Sequence, residues 1–245
     1  MKKVNFCISA MLFVGATVMA QSNVANVAQN NTVKGSGNIA NSANISNITQ
    51  IGKANNGSVT VDGNGSTAYV VQTGTASIAT VAQVGDGLNA NQTQVGLQNS
   101  ASITQNNGAS NSSSTQYQSG NNNLVASTQT SGTGNVSSQM QTGNSNSAST
   151  TQGGGSYNTA TQSQTGNFNT ATATQKEGSS NYSAQVQTGD SNVASTLQQG
   201  AGGNLGISTQ IGSLNKSVLE QNGNSNLAQL TQKGFGNLSA VIQGQ

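Results

Sequence analysis

The sequence has no histidine, proline or tryptophan, and Cys7 is its only cysteine. The lack of histidine excludes histidine-based catalytic triads, and with the lone cysteine in the N-terminal segment there are no cysteine nucleophiles or His/Cys metal sites elsewhere. A single cysteine also excludes a disulfide framework. The five acidic residues fall in different parts of the chain and form no carboxylate pair for acid–base catalysis. We therefore predict that the protein is not an enzyme and uses no cofactor or metal.

Charge is scarce as well. Only 5% of the 245 residues are charged, and none of them is arginine. If Lys2 and Lys3 are removed with a signal peptide, the charges of the five remaining lysines balance those of the five acidic residues, and the net side-chain charge is zero. Such a chain lacks the basic surface that nucleic-acid binding requires, so no nucleic-acid partner is expected. A net charge near zero favours self-association.

Residues 1–20 are typical of a secretory signal peptide. Lys2 and Lys3 precede the apolar run Phe6–Val18, and Val18-Met19-Ala20 fits a small-residue cleavage site. The apolar run is well short of the roughly 20 residues that a membrane-spanning helix needs. We therefore expect no membrane span in the mature chain.

The segment 21–43 that follows has two open interpretations. Within it, Asn23-Val-Ala25 with Gln29, and Asn38-Ile-Ala40, resemble degenerate fragments of the repeat described next. The segment is therefore predicted to be either an export or targeting signal or a degenerate repeat.

From Asn44 to Gln243 one motif, Asn-x-Ala-x-x-x-Gln followed by a glycine-containing turn, recurs eighteen times. A fixed period indicates stacked, near-identical structural units. It argues against the disordered Gln/Asn-rich tract that composition alone would suggest. Glycine returns with nearly every copy of the motif, which is too frequent for a stable helix. Only Val61 breaks the series of closing glutamines, which occupy positions 50, 72, 83, 94, 105, 118, 129, 141, 152, 164, 175, 187, 198, 210, 221, 232 and 243.

The intervals between closing glutamines alternate in the middle of the chain: the step from Gln129 to Gln141 is one residue longer than the step from Gln118 to Gln129. The strands alternate too: one type ends in Gln-x-Gln, as at Gln139 and Gln141, and the other has a small or apolar residue before its closing glutamine. The repeating unit is therefore two strands and two turns, about 22–23 residues long, and 44–243 is predicted to form nine such layers. We predict an all-β, amyloid-like cross-β fold, a two-sheet β-solenoid. Its turns would use glycine for left-handed conformations at Gly143, Gly155, Gly166, Gly178 and Gly189.

Asparagine and glutamine side chains that share a strand face are predicted to form ladders between layers. Their amides carry both donors and acceptors, so each can bond the copy above and the copy below. This avoids a penalty of about 1–3 kcal/mol for each buried group left unpaired. The predicted ladder comprises Asn146, Ala148, Gln152, Asn158, Gln164, Asn169, Gln175, Asn181, Gln187, Asn192, Gln198, Gln210, Gln221, Gln232 and Gln243.

The spacing Gln-x-Gly-x-x-Asn-x-Ala-x-x-x-Gln resembles the curlin repeat, and it is clear at Gln141–Gln152, Gln164–Gln175 and Gln187–Gln198. Curlins are the secreted subunits of curli, the extracellular amyloid fibres of bacterial biofilms. The resemblance implies a solenoid with two strands per repeat, export through an outer-membrane secretion pore, and a nucleator subunit as partner. It also implies an extracellular location, in fibres at the surface of a Gram-negative-type bacterium. The sequence departs from the best-known members in its larger number of repeats and in lacking an obvious glycine-rich leader.

The final repeat strand is among the most apolar in the chain and suggests an uncapped layer. Such a layer would pair with the first layer of another copy and give an open filament. The predicted assembly edges are Asn237, Val241 and Gln243 at one end and Asn44 and Gln50 at the other. We therefore expect a homopolymeric structural subunit of fibres that serve biofilm matrix and surface adhesion.

Two alternatives remain open at this stage. Val61, Ser66 and Leu88 interrupt the N-terminal ladder, which would suit a minor, nucleating subunit rather than a major one. The local threonine array at Thr170, Thr172 and Thr174 would suit a non-fibrous, ice-binding or surface-binding solenoid.

Overall fold

A computed structural model describes residues 18–19, 24–30, 44–106 and 108–244. In these residues the chain contains β-strands and no helix. The strands are β1 (Val18–Met19), β2 (Val24–Asn30), β3 (Ile45–Lys53), β4 (Asn56–Asp62), β5 (Thr67–Thr75), β6 (Ile78–Val84), β7 (Asn89–Leu97), β8 (Ser100–Asn106), β9 (Ser113–Asn121), β10 (Leu124–Thr130), β11 (Val136–Asn144), β12 (Ser147–Gly153), β13 (Thr159–Asn167), β14 (Thr170–Lys176), β15 (Tyr182–Thr188), β16 (Val193–Gly202), β17 (Leu205–Ser213), β18 (Lys216–Asn224), β19 (Leu227–Phe235) and β20 (Leu238–Gly244).

The strands form two parallel sheets. All odd-numbered strands make one sheet and all even-numbered strands make the other, each in chain order. The chain therefore crosses from one sheet to the other at every turn and climbs one strand with each circuit. The result is a β-solenoid of about nine turns, so the predicted fold class is confirmed. The number of sequence repeats stays a prediction.

The register joins equivalent residues of successive layers. Gln141 pairs with Gln164, and Gly143 pairs with Gly166, in the contact between β11 and β13. The same correspondence of closing glutamines holds in the even sheet, where Gln129 pairs with Gln152. The layer offset is 22 residues near the N-terminus and 23 in the middle. Like strands thus stack on like strands, because the two strand types have different turn lengths and different inward residues.

The core is a narrow space between the sheets that is filled mainly by polar and small side chains. In β12, for example, burial alternates strictly along the strand, and Ala148, Thr150 and Gln152 all point inward. This alternation is the period of two that a strand imposes. Because alanine, serine and threonine are short, the sheets approach closely enough for the glutamine amides to reach the opposite strand.

The turn glycines serve two different purposes. Gly143 has φ +116° and Gly166 has φ +115°, a region that residues with a side chain rarely adopt. Gly155 and Gly178 do not have positive φ, so the expectation of left-handed backbone is wrong at these two positions. A Cβ on Gly155 would nevertheless lie 1.8 Å from the carbonyl oxygen of Gly178 in the next layer. These turns therefore need glycine because the backbones of stacked turns touch.

The N-terminal segment contributes to the even sheet. Strand β2 pairs with β4 in the register Val24–Asn56 to Asn30–Asp62. This is where an additional strand of a degenerate repeat would lie. Most of the predicted signal peptide 1–20, and 31–43 within the predicted segment 21–43, lie outside the described residues.

The close stacking of turns predicts a large effect of one methyl group. We expect Gly143→Ala to lower the free energy of unfolding by at least about 3 kcal/mol, because strained φ and overpacking act together. Its Cβ would lie 2.0 Å from the Gly166 carbonyl oxygen. The matched control is Gly65→Ala, at φ +64° with no atom within 4 Å of the new Cβ, which should cost about 1 kcal/mol. Denaturant unfolding of monomeric protein, followed by circular dichroism, measures both, and equal losses would contradict the stacking argument.

Candidate functional site

The closing glutamines form one hydrogen-bonded ladder in each sheet. In the odd sheet, Gln141 Nε2 donates to Gln164 Oε1 at 2.8 Å, and the same bond links Gln164 to Gln187, Gln187 to Gln210 and Gln210 to Gln232. In the even sheet the chain of bonds runs from Gln152 through Gln175, Gln198 and Gln221 to Gln243, at 2.8–3.0 Å. Every bond has the donor on the N-terminal side. The ladders are therefore polar and point in one direction along the column.

The closing glutamines from Gln72 onwards also bond the opposite sheet. Gln164 Nε2 donates to the Ser147 carbonyl oxygen at 3.0 Å, and Gln152 Nε2 donates to the Val136 carbonyl oxygen at 2.9 Å. One amide group thus links the layer above and the facing strand. Because these side chains are fully buried, loss of either partner would leave a polar atom unpaired, at about 1–3 kcal/mol.

Asparagines of the column through Asn146 and Asn169 form the predicted amide-to-amide bonds, since Asn169 Nδ2 donates to Asn146 Oδ1 and Asn192 Nδ2 to Asn169 Oδ1, both at 3.1 Å. They also bond backbone. The backbone N–H of Asn169 donates to Asn146 Oδ1 at 3.0 Å, and Asn146 Nδ2 donates to the Gly166 carbonyl oxygen at 2.8 Å. Asn169 and Gly189 are linked in the same way. The asparagine side chain therefore bonds the backbone as well as the next asparagine, which holds turn glycines such as Gly166 and Gly189 in place. The other predicted members make the same contacts: Asn158 to Gly178, Asn181 to Asn158, Asn192 to Asn169, and Gly143 and Gly155 as acceptors from Asn123 and Asn135.

A further glutamine ladder lies in the middle of the odd sheet and is missing from the predicted site residues. Its signal in the sequence is the Gln-x-Gln strand ending. The bonds run from Gln92 through Gln116, Gln139 and Gln162 to Gln185 at 2.8–3.0 Å. Thr150 of the facing strand joins this ladder: it accepts from Gln139 Nε2 and donates to Gln162 Oε1, both at 3.1 Å.

This central polar region gives way to apolar residues towards both ends of the solenoid. In the odd sheet the column that holds Gln92 to Gln185 begins with Ile48 and Val70 and ends with Leu230. In the even sheet the facing column begins with Val59, Val81 and Ile103 and ends with Leu219 and Val241. The two ends of the column therefore share one chemistry, and the middle has another.

The predicted C-terminal edge residues lie in an exposed last layer. Strand β20 lacks the fully buried positions of the strands before it, and Ser239, Val241 and Gln243 are half-buried. Outward Leu238 and Ile242 are each 73% exposed. Among the described residues, no strand lies beyond β19 or β20 in either sheet. Asn237 Nδ2 donates to Asn215 Oδ1 of the layer before at 2.8 Å and to the Lys233 carbonyl oxygen of its own turn at 3.0 Å.

The predicted N-terminal edge residues are placed differently. Asn44 and Gln50 are buried, and Gln50 Nε2 donates to Gln72 Oε1 at 2.8 Å. Strand β2 covers β4, and β1 pairs with β3 at Gln50 and Ile51. The layer 44–61 is therefore not outermost, because 24–30 supplies a further strand of the even sheet.

The described residues contain no group of three or more His, Cys, Asp or Glu residues that could hold a metal ion. They also contain no helix that is long and apolar enough to cross a membrane.

The start of the central ladder predicts an unusual mutational effect. Gln92 Oε1 is buried and has no hydrogen-bond partner among the described residues, because apolar Val70 precedes it in the column. Val81 lies in the same column of the even sheet as Thr150. It is on the strand just before the one that carries Gln92, and Thr150 is on the strand just before the one that carries Gln162. We expect Val81→Thr to place a hydroxyl that donates to Gln92 Oε1, as Thr150 does to Gln162, and so to be close to neutral for stability.

The matched control is Val59→Thr, in the same column. Val59 lies in an apolar cluster with Ile48 and Val70, so its new hydroxyl would have no such partner. We expect Val59→Thr to be less stable than Val81→Thr by about 1–2 kcal/mol, the cost of an unpaired buried hydroxyl. Denaturant midpoints of the two variants decide the matter, and a Val81→Thr variant as unstable as the control would refute the Gln92 contact.

Comparison with known proteins gives one family match. A family model described as the curlin-associated repeat matches residues 203–234. This segment runs from the turn before β17 through β18 to the Gly234 turn position in β19, so it spans a complete two-strand layer. A search of curated proteins finds no match. The chain thus carries a match to the curlin-associated repeat, and it lies on consecutive strands of the β-solenoid.

Proposed function

We propose that this protein is a secreted structural subunit that self-assembles head to tail into extracellular, curli-like amyloid fibres. The observation that carries the proposal is the exposed last layer, in which inward-facing Val241 and Gln243 are only half-buried. A row of unpaired backbone groups next to an apolar patch is a template for another strand. A contact between two different ends repeats without closing and gives a filament.

The direction of the ladders supports head-to-tail rather than tail-to-tail contact. Gln232 Nε2 and Gln243 Nε2 donate to the carbonyl oxygens of Lys216 and Leu227 across the layer. An amide nitrogen carries two hydrogens, so each retains a donor that faces the next layer. Two C-terminal ends would bring donors together. A head-to-tail contact avoids this clash, because only one of the two ends that meet is then a C-terminal end.

The apolar columns support the same pairing. Placing β20 of one copy on β2 of the next would align Val241 with Val27, and Gln243 with Gln29, given the register of β2 on β4. Leu219 and Val241 of the first copy would then continue into Val59 and Val81 of the second. Leu219, Val59 and Val81 are already buried, so the gain at the junction comes from half-exposed Val241, whose burial removes apolar surface from water at about 25 cal/mol per Å².

Sparse charge suits such a subunit. In the described turns and strand ends, single charged residues such as Asp62, Asp86 and Asp190 are exposed or half-exposed, where they would slow unwanted pairing during export. Export through an outer-membrane pore, a nucleator partner, and roles in biofilm matrix and adhesion follow from the family and belong to the proposal. They would place the working protein outside the cell.

The junction can be tested with one substitution at the open end. We expect Val241→Asp to stop fibre elongation, because docking would bury a carboxylate in an apolar junction. The matched control is Ile242→Asp, the next residue, which faces outward at 73% exposure and adds the same charge. Elongation of preformed seeds, followed by thioflavin fluorescence, compares the two. Equal growth of both variants would refute the junction.

A second measurement separates loss of the junction from loss of folding. Val241→Asp keeps its N-terminal end, so it should add once to the open end of a wild-type fibre and block it. We therefore expect substoichiometric Val241→Asp monomer to inhibit elongation of wild-type seeds, whereas an unfolded chain would leave the rate unchanged. Ile242→Asp should not inhibit.

Fibre diffraction tests the strand direction. If the solenoids stack end to end, the strands lie across the fibre axis, and aligned fibres should give a meridional reflection near about 4.8 Å. Its absence from aligned fibres would overturn the proposed assembly.

A further inference from the structure

The two outward faces of the solenoid differ in chemistry. We call the outward side chains of the odd strands the odd face, and those of the even strands the even face. Strands β5, β7, β9, β11, β13, β15 and β17 contain no charged residue at all. Exposed apolar and aromatic side chains are spread along this face, at Tyr69, Tyr117, Met140, Tyr182 and Val186.

The even face is more polar and carries charge. Asp62, Lys176, Lys216 and Glu220 all belong to even strands and are exposed or half-exposed. Between them lie small outward residues, as in the Ser-x-Ser and Thr-x-Thr patterns of β12 and β14. Charged side chains that must lose water oppose face-to-face packing of a sheet. The odd face lacks this opposition over most of its height.

The odd face is large enough for a stable contact. The seven uncharged strands at about 4.8 Å spacing and seven residues at about 3.3 Å rise give an area of roughly 34 by 23 Å, or ~800 Å². A stable protein–protein interface buries about 800 Å² on each partner. One copy therefore presents a standard-sized surface, and a fibre repeats it along its whole length.

We infer that the odd face is a lateral contact surface for a second copy of this chain, so that fibres pair odd face to odd face. This rests on the proposed fibre. From β5 to β17 the odd face is uncharged and carries β-branched and aromatic side chains, so this part is complementary to itself: no like charges meet there, and sheets pack face to face at about 10 Å. A second copy has the same length and layer spacing, so every layer of the face meets a layer of its partner.

Repetition makes the contact strong in fibres even where one copy binds weakly. Serine, threonine and asparagine on the odd face limit the apolar area that each copy buries. Once one pair of copies is in contact, every further pair along the fibres binds at high effective concentration. Lateral pairing should therefore follow elongation and be negligible for monomers.

The test compares two double variants with the same added charge. Met140→Lys with Val186→Lys changes the odd face, and Leu124→Lys with Val193→Lys changes the even face at similarly exposed apolar positions. Both add two charges per copy, so general repulsion between fibres is equal. Electron microscopy counts fibres per bundle, and seeded thioflavin kinetics measure elongation separately.

We expect the odd-face variant to elongate normally but to give single fibres, and the even-face variant to bundle like the wild type. Equal bundling of the two variants, or single fibres from the wild type, would overturn the inference. If the lysines prevent fibre formation, Met140→Thr with Val186→Thr removes apolar surface without charge and should also reduce bundling relative to the wild type; unchanged bundling would overturn it. Failure of the wild type to elongate would instead count against the proposed function.

Discussion

The amide hydrogen bond between a glutamine and its copy in the next layer is the constraint on which the rest of the structure depends. A bond such as Gln164 to Gln187, at 2.8 Å, forms only when equivalent residues stack directly. A slip of one residue would turn every inward amide to the outside and break the ladder. Buried amides thus select one strand register, which an apolar core could not do. Leucine side chains can pack on each other in many registers, whereas the glutamine amides form their hydrogen bonds in one.

Direct stacking then dictates the turns. If strands superpose in register, the turns that join them superpose as well, and their backbones come as close as the strand spacing allows. That is why a Cβ at Gly143 would meet the Gly166 carbonyl oxygen, and why Asn146 bonds that same carbonyl rather than only another asparagine. The glycine and asparagine positions of the repeat are therefore consequences of the glutamine ladder rather than independent choices.

Much of this fold can be predicted from the sequence, because one short pattern determines both which side chains of a strand point inward and how long the repeating unit is. The alternating short and long intervals between closing glutamines are enough to assign two strand types and their stacking. They cannot show that Asn146 bonds backbone, since an amide has the same donors and acceptors whatever partner it meets. Nor can the intervals show that Gly143 is required for its φ of +116° whereas Gly155 is required only by the close approach of the next layer. Both positions are simply glycines in a turn of the sequence. The pairing of β2 with β4 joins strands on either side of 31–43. The degenerate motif of 21–43 lacks the regular spacing from which this pairing could be predicted.

In the proposed fibre, the contrast between a polar middle and apolar ends would follow from the different tasks of the two parts. Inside one chain, covalent turns bring Gln139 and Gln162 together, so the amide bond need only select the register. Between chains no turn holds the partners, and an unpaired amide at an open end is already satisfied by water, so its net contribution on docking is small. In the proposed fibre, half-exposed Val241 gains from docking itself, because its burial releases water whatever the final adjustment. Adhesion by apolar side chains and selection of register by the Gln232 and Gln243 amides are then separate tasks, carried out by neighbouring residues of the same layer.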